Sequence, residues 1–371
     1  MLKDGGKIQI VSHDRNAGLL HRWGSVLLLC LGIWVPAEVL LGDQIIVVGG
    51  RNYVDVKIVS ATWEQVQYRL AGVSTSQKMA ADRVEKLIFD QEPAVLSRGR
   101  GALDQGDWEG AVNSLRSATS LGDPRHKADA MYLYGLALVK WGQQDPAQLA
   151  VAVTALEAYL TQFEGQKDFF VPYARVALSE AHRGAEDWAS AEKALVPLAS
   201  GELGKRWILG ARLAKAEILL AQQNWIDARE IFSSVANDSA ADSGMVSSAW
   251  IGYATCQLGQ RQWSSAIDTV RQKILESRNS GVARLDGVKA RGWLVWGRAT
   301  QEQASGNKTQ LQWAMIRYLR SAVIATTGDS EILAEAIYRA KTVAVELGQN
   351  DRAEELAQRL QKLVPGSAWN K

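Results

Sequence analysis

The span Ser179-Glu180-Ala181-His182 brings a hydroxyl, a carboxylate and an imidazole close together in sequence, the groups from which a hydrolytic triad is built. Ser179 and His182 share one helical stretch, however, and the imidazole there reads as a surface or packing residue rather than a general base. Other chemistries lack their residues. His13, His21, His126 and His182 form no pair at helical ligand spacing and have no Cys beside them. Cys30 and Cys256 are the only cysteines, too few for a disulfide framework or a cysteine-built zinc site. The chain has no Gly-rich phosphate loop ending in Lys and Ser or Thr, and no Gly-x-Ser-x-Gly elbow. Asp and Glu are spread too evenly for one pair to stand out as acid and base. The sequence therefore predicts no enzyme, no cofactor and no metal.

The elements that would position any functional group belong to an ordinary folded protein: 371 residues, 47% apolar and 22% charged, room for two or three domains. Lys plus Arg number 42 against 40 Asp plus Glu, and the first 37 residues hold four basic and two acidic ones, so the chain from Glu38 onward is neutral. Bulk charge gives no reason to expect a nucleic-acid partner.

Residues 1–37 read as a signal peptide or anchor. The run SVLLLCLGIWVPA from Ser25 to Ala37 follows His21, Arg22 and Trp23, and its 13 residues are short for a bilayer span. A basic flank, an apolar core and the small-residue end Val35-Pro36-Ala37 are the parts of a secretory signal, which predicts cleavage after Ala37. An uncleaved anchor extending to Leu41 is the alternative. Cys30 also resembles the acylated Cys of a bacterial lipoprotein signal, but Leu29 stands where a small residue is required. All three versions place the bulk of the chain outside the cytoplasm, in the periplasm or cell envelope, with membrane association through this segment in two of them.

Between residues 43 and 90 the apolar period becomes two: Ile45 to Val48, then Val54, Val56 and Ile58, then Val66, Tyr68 and Leu70, with turns at Gly49-Gly50 and Gly72. Such alternation predicts four or five short strands. About 48 residues is near the lower limit for an independent core, so a small barrel-like domain packed on the helices after it is expected. It resembles the short barrel-like modules that precede helical repeats in exported bacterial proteins.

From residue 94 to 365 the chain repeats itself. Asp107-Trp108 precedes Ala111 and Leu115, Asp187-Trp188 precedes Ala191 and Leu195, Asn224-Trp225 precedes Ala228 and Phe232, and Gln262-Trp263 precedes Ala266 and Val270. Weaker copies centre on Ala152, Ala314 and Ala353, giving about seven helix pairs. Gly99, Gly135, Ala216, Ala254 and Gly297 supply small residues where each first helix crosses its partner. The pattern resembles the tetratricopeptide repeat over three quarters of the chain, with units of 37 or more residues against the usual 34. Extra residues fall at Gln143 to Leu149 and Ala304 to Gln310, read as turns. The fold class predicted is mainly α, a helical-hairpin superhelix behind a small β domain. The four Trp residues before the small Ala read as packing groups.

The resemblance implies a concave groove lined by the first helix of each pair, and the family's groove positions fall on Tyr132, Tyr173, Glu180, Arg183, Leu213, Glu217 and Arg298. Apolar and aromatic groups with isolated charges suit a peptide. The implied function is a non-enzymatic scaffold or adaptor of the cell envelope that binds partner proteins or peptides. The alternative is a small-ligand-binding or enzymatic protein with its site at the barrel/repeat junction, around Trp63, Tyr68 and Arg69. A third reading is self-association through Trp207, Trp293 or Trp296.

Overall fold

The computed structural model of the protein describes residues 42–49, 52–277, 286–325 and 330–370. The segment 1–37, read above as signal or anchor, and Gly50 lie outside them. Five antiparallel strands come first: β1 (Asp43–Val47), β2 (Tyr53–Ala61), β3 (Gln65–Leu70), β4 (Gln77–Ala80) and β5 (Val84–Ile88), in the spatial order β4-β3-β2-β1-β5. Alternate residues point inward as the period demands, with Ile45, Val56, Ile58, Val66, Tyr68, Val84 and Leu87 buried. Register shifts within the β1–β2, β2–β3 and β1–β5 pairs bend the strands. Among the described residues the ladder ends at β4 on one side and at β5 on the other, giving a bent antiparallel sheet. The buried Asp43 carboxylate accepts from Ile58 N–H and Asp90 N–H, each at 2.6 Å, fastening β1 to β2 and to the exit from β5.

Fourteen α-helices come next among the described residues, in seven consecutive hairpins: α1 (Ala94–Gln105) with α2 (Trp108–Ala118), α3 (Pro124–Gly142) with α4 (Ala147–Phe163), α5 (Val171–Gly184) with α6 (Trp188–Ala199), α7 (Lys205–Ala221) with α8 (Trp225–Ala236), α9 (Ser243–Gly259) with α10 (Trp263–Val270), α11 (Asp286–Ala304) with α12 (Lys308–Ile324), and α13 (Ser330–Glu346) with α14 (Asn350–Leu363). A π-helical turn, Arg271–Leu275, prolongs α10. The mainly helical hairpin array behind a small sheet is the architecture the sequence predicts.

One turn recurs between paired helices. A residue in the left-handed region (Gly106, Glu186, Gln223, Arg261 or Gly348) is followed by the residue that starts the next helix. The N–H of that next residue reaches back to close the preceding helix, as in Asp187 to His182 O (2.9 Å) and Asn224 to Leu219 O (2.8 Å). Asp107, Asp187 and Asn224 then cap the second helix through their side chains, and Trp108, Trp188 and Trp225 occupy its first position. The small-residue crossings hold as well. A Cβ placed on Gly99 would lie 2.5 Å from Leu115, on Gly135 2.5 Å from Leu156, and on Gly297 2.6 Å from Tyr318.

Three details differ from expectation. The extra residues after Gln143 and Ala304 do not form long turns. Helices α3 and α11 lengthen to 19 residues each, leaving only 143–146 and 305–307 outside helix. Trp225 packs against Gly259 of the next hairpin, not solely back on its own. Trp207, expected to be exposed, is 6% exposed and meets Tyr173 edge-on at 4.6 Å. Among the described residues no helix is long and apolar enough to cross a membrane.

Candidate functional site

The inner face of the array divides into two stretches because the sheet packs into its amino-terminal part. Trp63 N–H donates to Lys167 O (3.0 Å), Glu64 pairs with Lys167 at 2.6 Å, and Tyr173 Oη and Arg206 Nη1 both donate to Val84 O, at 2.7 and 2.9 Å. Tyr132 stacks on Phe170 at 5.1 Å and Tyr173 lies 6.0 Å from Tyr132. These two predicted groove residues therefore face strands β1 and β5, across a gap of about 370 Å³ shared with Ile46, Glu85 and Lys86. Burial pushes the Tyr173 hydroxyl up to about 12, against the opposing pull of Arg206, so it stays a protonated donor at neutral pH.

Beyond the sheet the inner face opens into a cavity of about 750 Å³. Successive first helices contribute Lys140 from α3, Glu180 and Arg183 from α5, Glu217 from α7, Arg291 from α11 and Glu331 from α13, with Leu220, Ile251 and Thr255 between them. The charges alternate in sign. Lys140 Nζ donates to Glu180 at 2.9 Å and Gln143 Nε2 to the same oxygen at 3.1 Å, while Arg183 lies 3.8 Å from Glu217. Burial alone would raise the Glu180 carboxyl, but Lys140, Arg183 and the Gln143 hydrogen bond outweigh it and hold Glu180 below the ordinary carboxylate range. Glu217 differs. Burial and the neighbouring Glu180 push its carboxyl up against the pull of Arg183, although 44% of its side-chain surface still reaches the groove. Lys140 and Trp108 line both stretches, so the two communicate.

The array turns far enough for its second hairpin to meet its seventh. Gln144 Nε2 donates to Glu331 Oε1 at 3.0 Å, and Ser367 Oγ donates to the other Glu331 oxygen at 3.4 Å. Of the predicted groove residues, Glu180, Arg183 and Glu217 come together in the larger cavity. Leu213 packs beside the cluster of Leu209, Phe232 and Val235, and Arg298 lies half-buried near Tyr318 and Glu335; neither lines the cavities described. Sequence reasoning passed over Lys140, Arg291 and Glu331. Two turns beyond Tyr132 on the same face stands Lys140, and two turns before Arg298 stands Arg291.

The Ser179, Glu180 and His182 group does not assemble. Ser179 is 2% exposed, Glu180 turns to Lys140, and His182 Nδ1 lies 3.5 Å from Asp187. A second polar cavity, of about 670 Å³, opens where the sheet meets the array, lined by Lys57 and Arg69 from the sheet and by Asp123, Arg125 and His126 at the start of α3. His126 is 5% exposed, sits edge-on to Phe89 at 6.1 Å, and its buried Nε2 has no hydrogen-bond partner. Trp63 and Tyr68 do not line this cavity. Tyr68 belongs to the sheet core, and Trp63 packs on the array.

No protein-family model and no curated protein matches the chain. Among solved structures, a tetratricopeptide repeat protein from Parabacteroides merdae is similar to it at 13% identity and a TM-score of 0.45, over 73% of this chain and 92% of that one.

Proposed function

We propose that the protein is a non-enzymatic scaffold that holds an extended segment of a partner protein in the larger inner cavity, and that it works in the cell envelope. The observation that carries this reading is the row of alternating charges from Lys140 to Glu331, contributed by five different helices around one cavity. A single small ligand needs a few convergent groups. A row spaced along successive repeats instead suits a chain that runs past them, each group meeting a different residue. The apolar run from Ser25 to Ala37 supports export.

A photo-crosslinking residue at Leu220, inside the cavity, is compared with one at Ile226, 66% exposed on α8. The expected result is discrete adducts from position 220 in the envelope fraction, weakened by Glu180→Gln with Glu217→Gln. Equal adducts from both positions, or none from 220, would remove the reading. Intact mass of the chain from fractionated cells tests the compartment, since processing after Ala37 leaves Glu38 first.

The junction cavity supports a second reading, a small-ligand site, because His126 presents a buried imidazole nitrogen with no partner beside Arg125 and Asp123. Thermal shifts with a panel of small carboxylates and amino acids test it. A shift abolished by His126→Gln supports the site, and no shift from any compound removes it.

A further inference from the structure

Helix α12 presents a surface unrelated to the groove. Its sequence, KTQLQWAMIRYLRSAVI, contains three basic residues and no acidic one, in a chain that is otherwise balanced. Leu311, Ala314, Met315, Tyr318 and Ser321 are buried on one side. At 100° per residue, Trp313, Ile316, Arg317, Arg320 and Val323 form the opposite stripe. Trp313 is 51% exposed, Ile316 38% and Val323 78%. Beside the stripe, Trp293 and Trp296 of α11 stack face to face, 5.2 Å apart and 5° from parallel. The Arg317 guanidinium lies 4.7 Å from the Trp296 ring centre and 5.8 Å from that of Trp313, and Arg320 lies 4.8 Å from that of Trp293. Neither guanidinium makes an ion pair among the described residues, and Arg317 Nη1 is buried without a hydrogen-bond partner. The rings hold the two cations in place and leave their charge uncompensated.

We propose that this stripe is a docking surface for an anionic lipid bilayer. A partner must supply negative charge to two fixed guanidiniums and at the same time cover a Trp, an Ile and a Val. The stripe runs about 15 Å along one helix face, and none of its residues lines a cavity described above. An anionic headgroup layer over acyl chains meets each demand: phosphates for the arginines, the interfacial zone for Trp313, and the first methylenes for Val323 and Ile316. The inner cavity then stays free for a partner, so this reading stands or falls separately from the scaffold function.

The test uses the full chain with Cys30→Ser and Val323→Cys, labelled with an environment-sensitive fluorophore; the remaining Cys256 is fully buried. Vesicles of phosphatidylglycerol and phosphatidylcholine are compared with phosphatidylcholine alone. A blue shift on the anionic vesicles is expected, with Arg317→Gln plus Arg320→Gln lowering partition about 30-fold. Helical circular dichroism serves to check that this variant is folded. A label that stays in water while the chain floats with vesicles would mean that the amino-terminal segment alone carries the protein there, and it overturns the proposal. So does an equal shift on phosphatidylcholine, or a shift without lipid that grows with protein concentration, which would assign the face to a second copy of the chain.

Discussion

Replacing Gly135 by Ala should destabilise the protein, even though Ala is the better helix former by about 1 kcal/mol. The added Cβ would stand 2.5 Å from Leu156 Cδ2 and 2.7 Å from its Cγ, where carbon atoms normally keep about 3.5–4.0 Å. Leu156 is fully buried and cannot swing away. Overpacking of this kind costs about 1–3 kcal/mol, so the net loss after the propensity gain is up to about 2 kcal/mol. Gly210 in α7 is the internal comparison, because nothing lies within 4 Å of a Cβ there. Gly210→Ala should therefore stabilise by up to about 1 kcal/mol. The decisive experiment is a double-mutant cycle read by urea unfolding through helical circular dichroism. Leu156→Ala alone costs about 2–5 kcal/mol, but in that background Gly135→Ala should change sign and stabilise, a coupling of about 1–3 kcal/mol. Additive effects of Gly135→Ala and Leu156→Ala would refute the account of the small residue at the helix crossing.

Glu186, Gln223 and Arg261 hold the left-handed turn position that Gly106 and Gly348 occupy in other hairpins. Glu186→Gly or Arg261→Gly should thus stabilise by about 0.5–1 kcal/mol, seen as a higher urea midpoint. Asp43→Ala leaves two backbone N–H groups without their acceptor and should cost about 2–4 kcal/mol, with exchange at Ile58 and Asp90 amides accelerating first. The buried Asp129 carboxyl, pushed up to about 6 by burial against the pull of its partner Arg100, should make stability depend on pH. Its folded pKa lies above the unfolded one, so its stabilising proton is fully bound below about pH 4 and is lost as pH rises through 6, a change of about 2–3 kcal/mol. Asp129→Asn should flatten that slope between about pH 4 and 6, and an unchanged slope there would contradict it.

The hairpins were legible because each one carries its own punctuation. Trp188, Ala191 and Leu195 fix a helix start, a crossing and a groove filler within eight residues, and all three constraints are local. Strand β4 escaped notice because only Met79 of Gln77–Ala80 faces inward, too little for an alternation to register. The charged cavity was half legible. Glu180, Arg183 and Glu217 follow from repeat position, whereas Glu331 joins them only because the rotation accumulated over the intervening hairpins brings α13 back to α3. Rotation per repeat depends on how each crossing packs, and no single unit encodes the sum. The sheet's position against Tyr132 and Tyr173 was hidden for a related reason. It rests on backbone acceptors such as Val84 O and Lys167 O, which carry no side-chain signature.

The hydrogen bond between Gln144 and Glu331 joins residues 187 positions apart, and that separation sets an order of events during synthesis. At about 5–20 residues per second, roughly 10–40 s pass between the emergence of one partner and of the other. Throughout that interval the first hairpins can pack on one another while the row of charges is still incomplete at its far end. If the proposed scaffold function holds, a partner segment already lying against Lys140 and Glu180 would be covered as the last hairpin arrives, without having to enter a cavity already bounded on that side. Enclosure would then depend on when the client is present as well as on how tightly it binds.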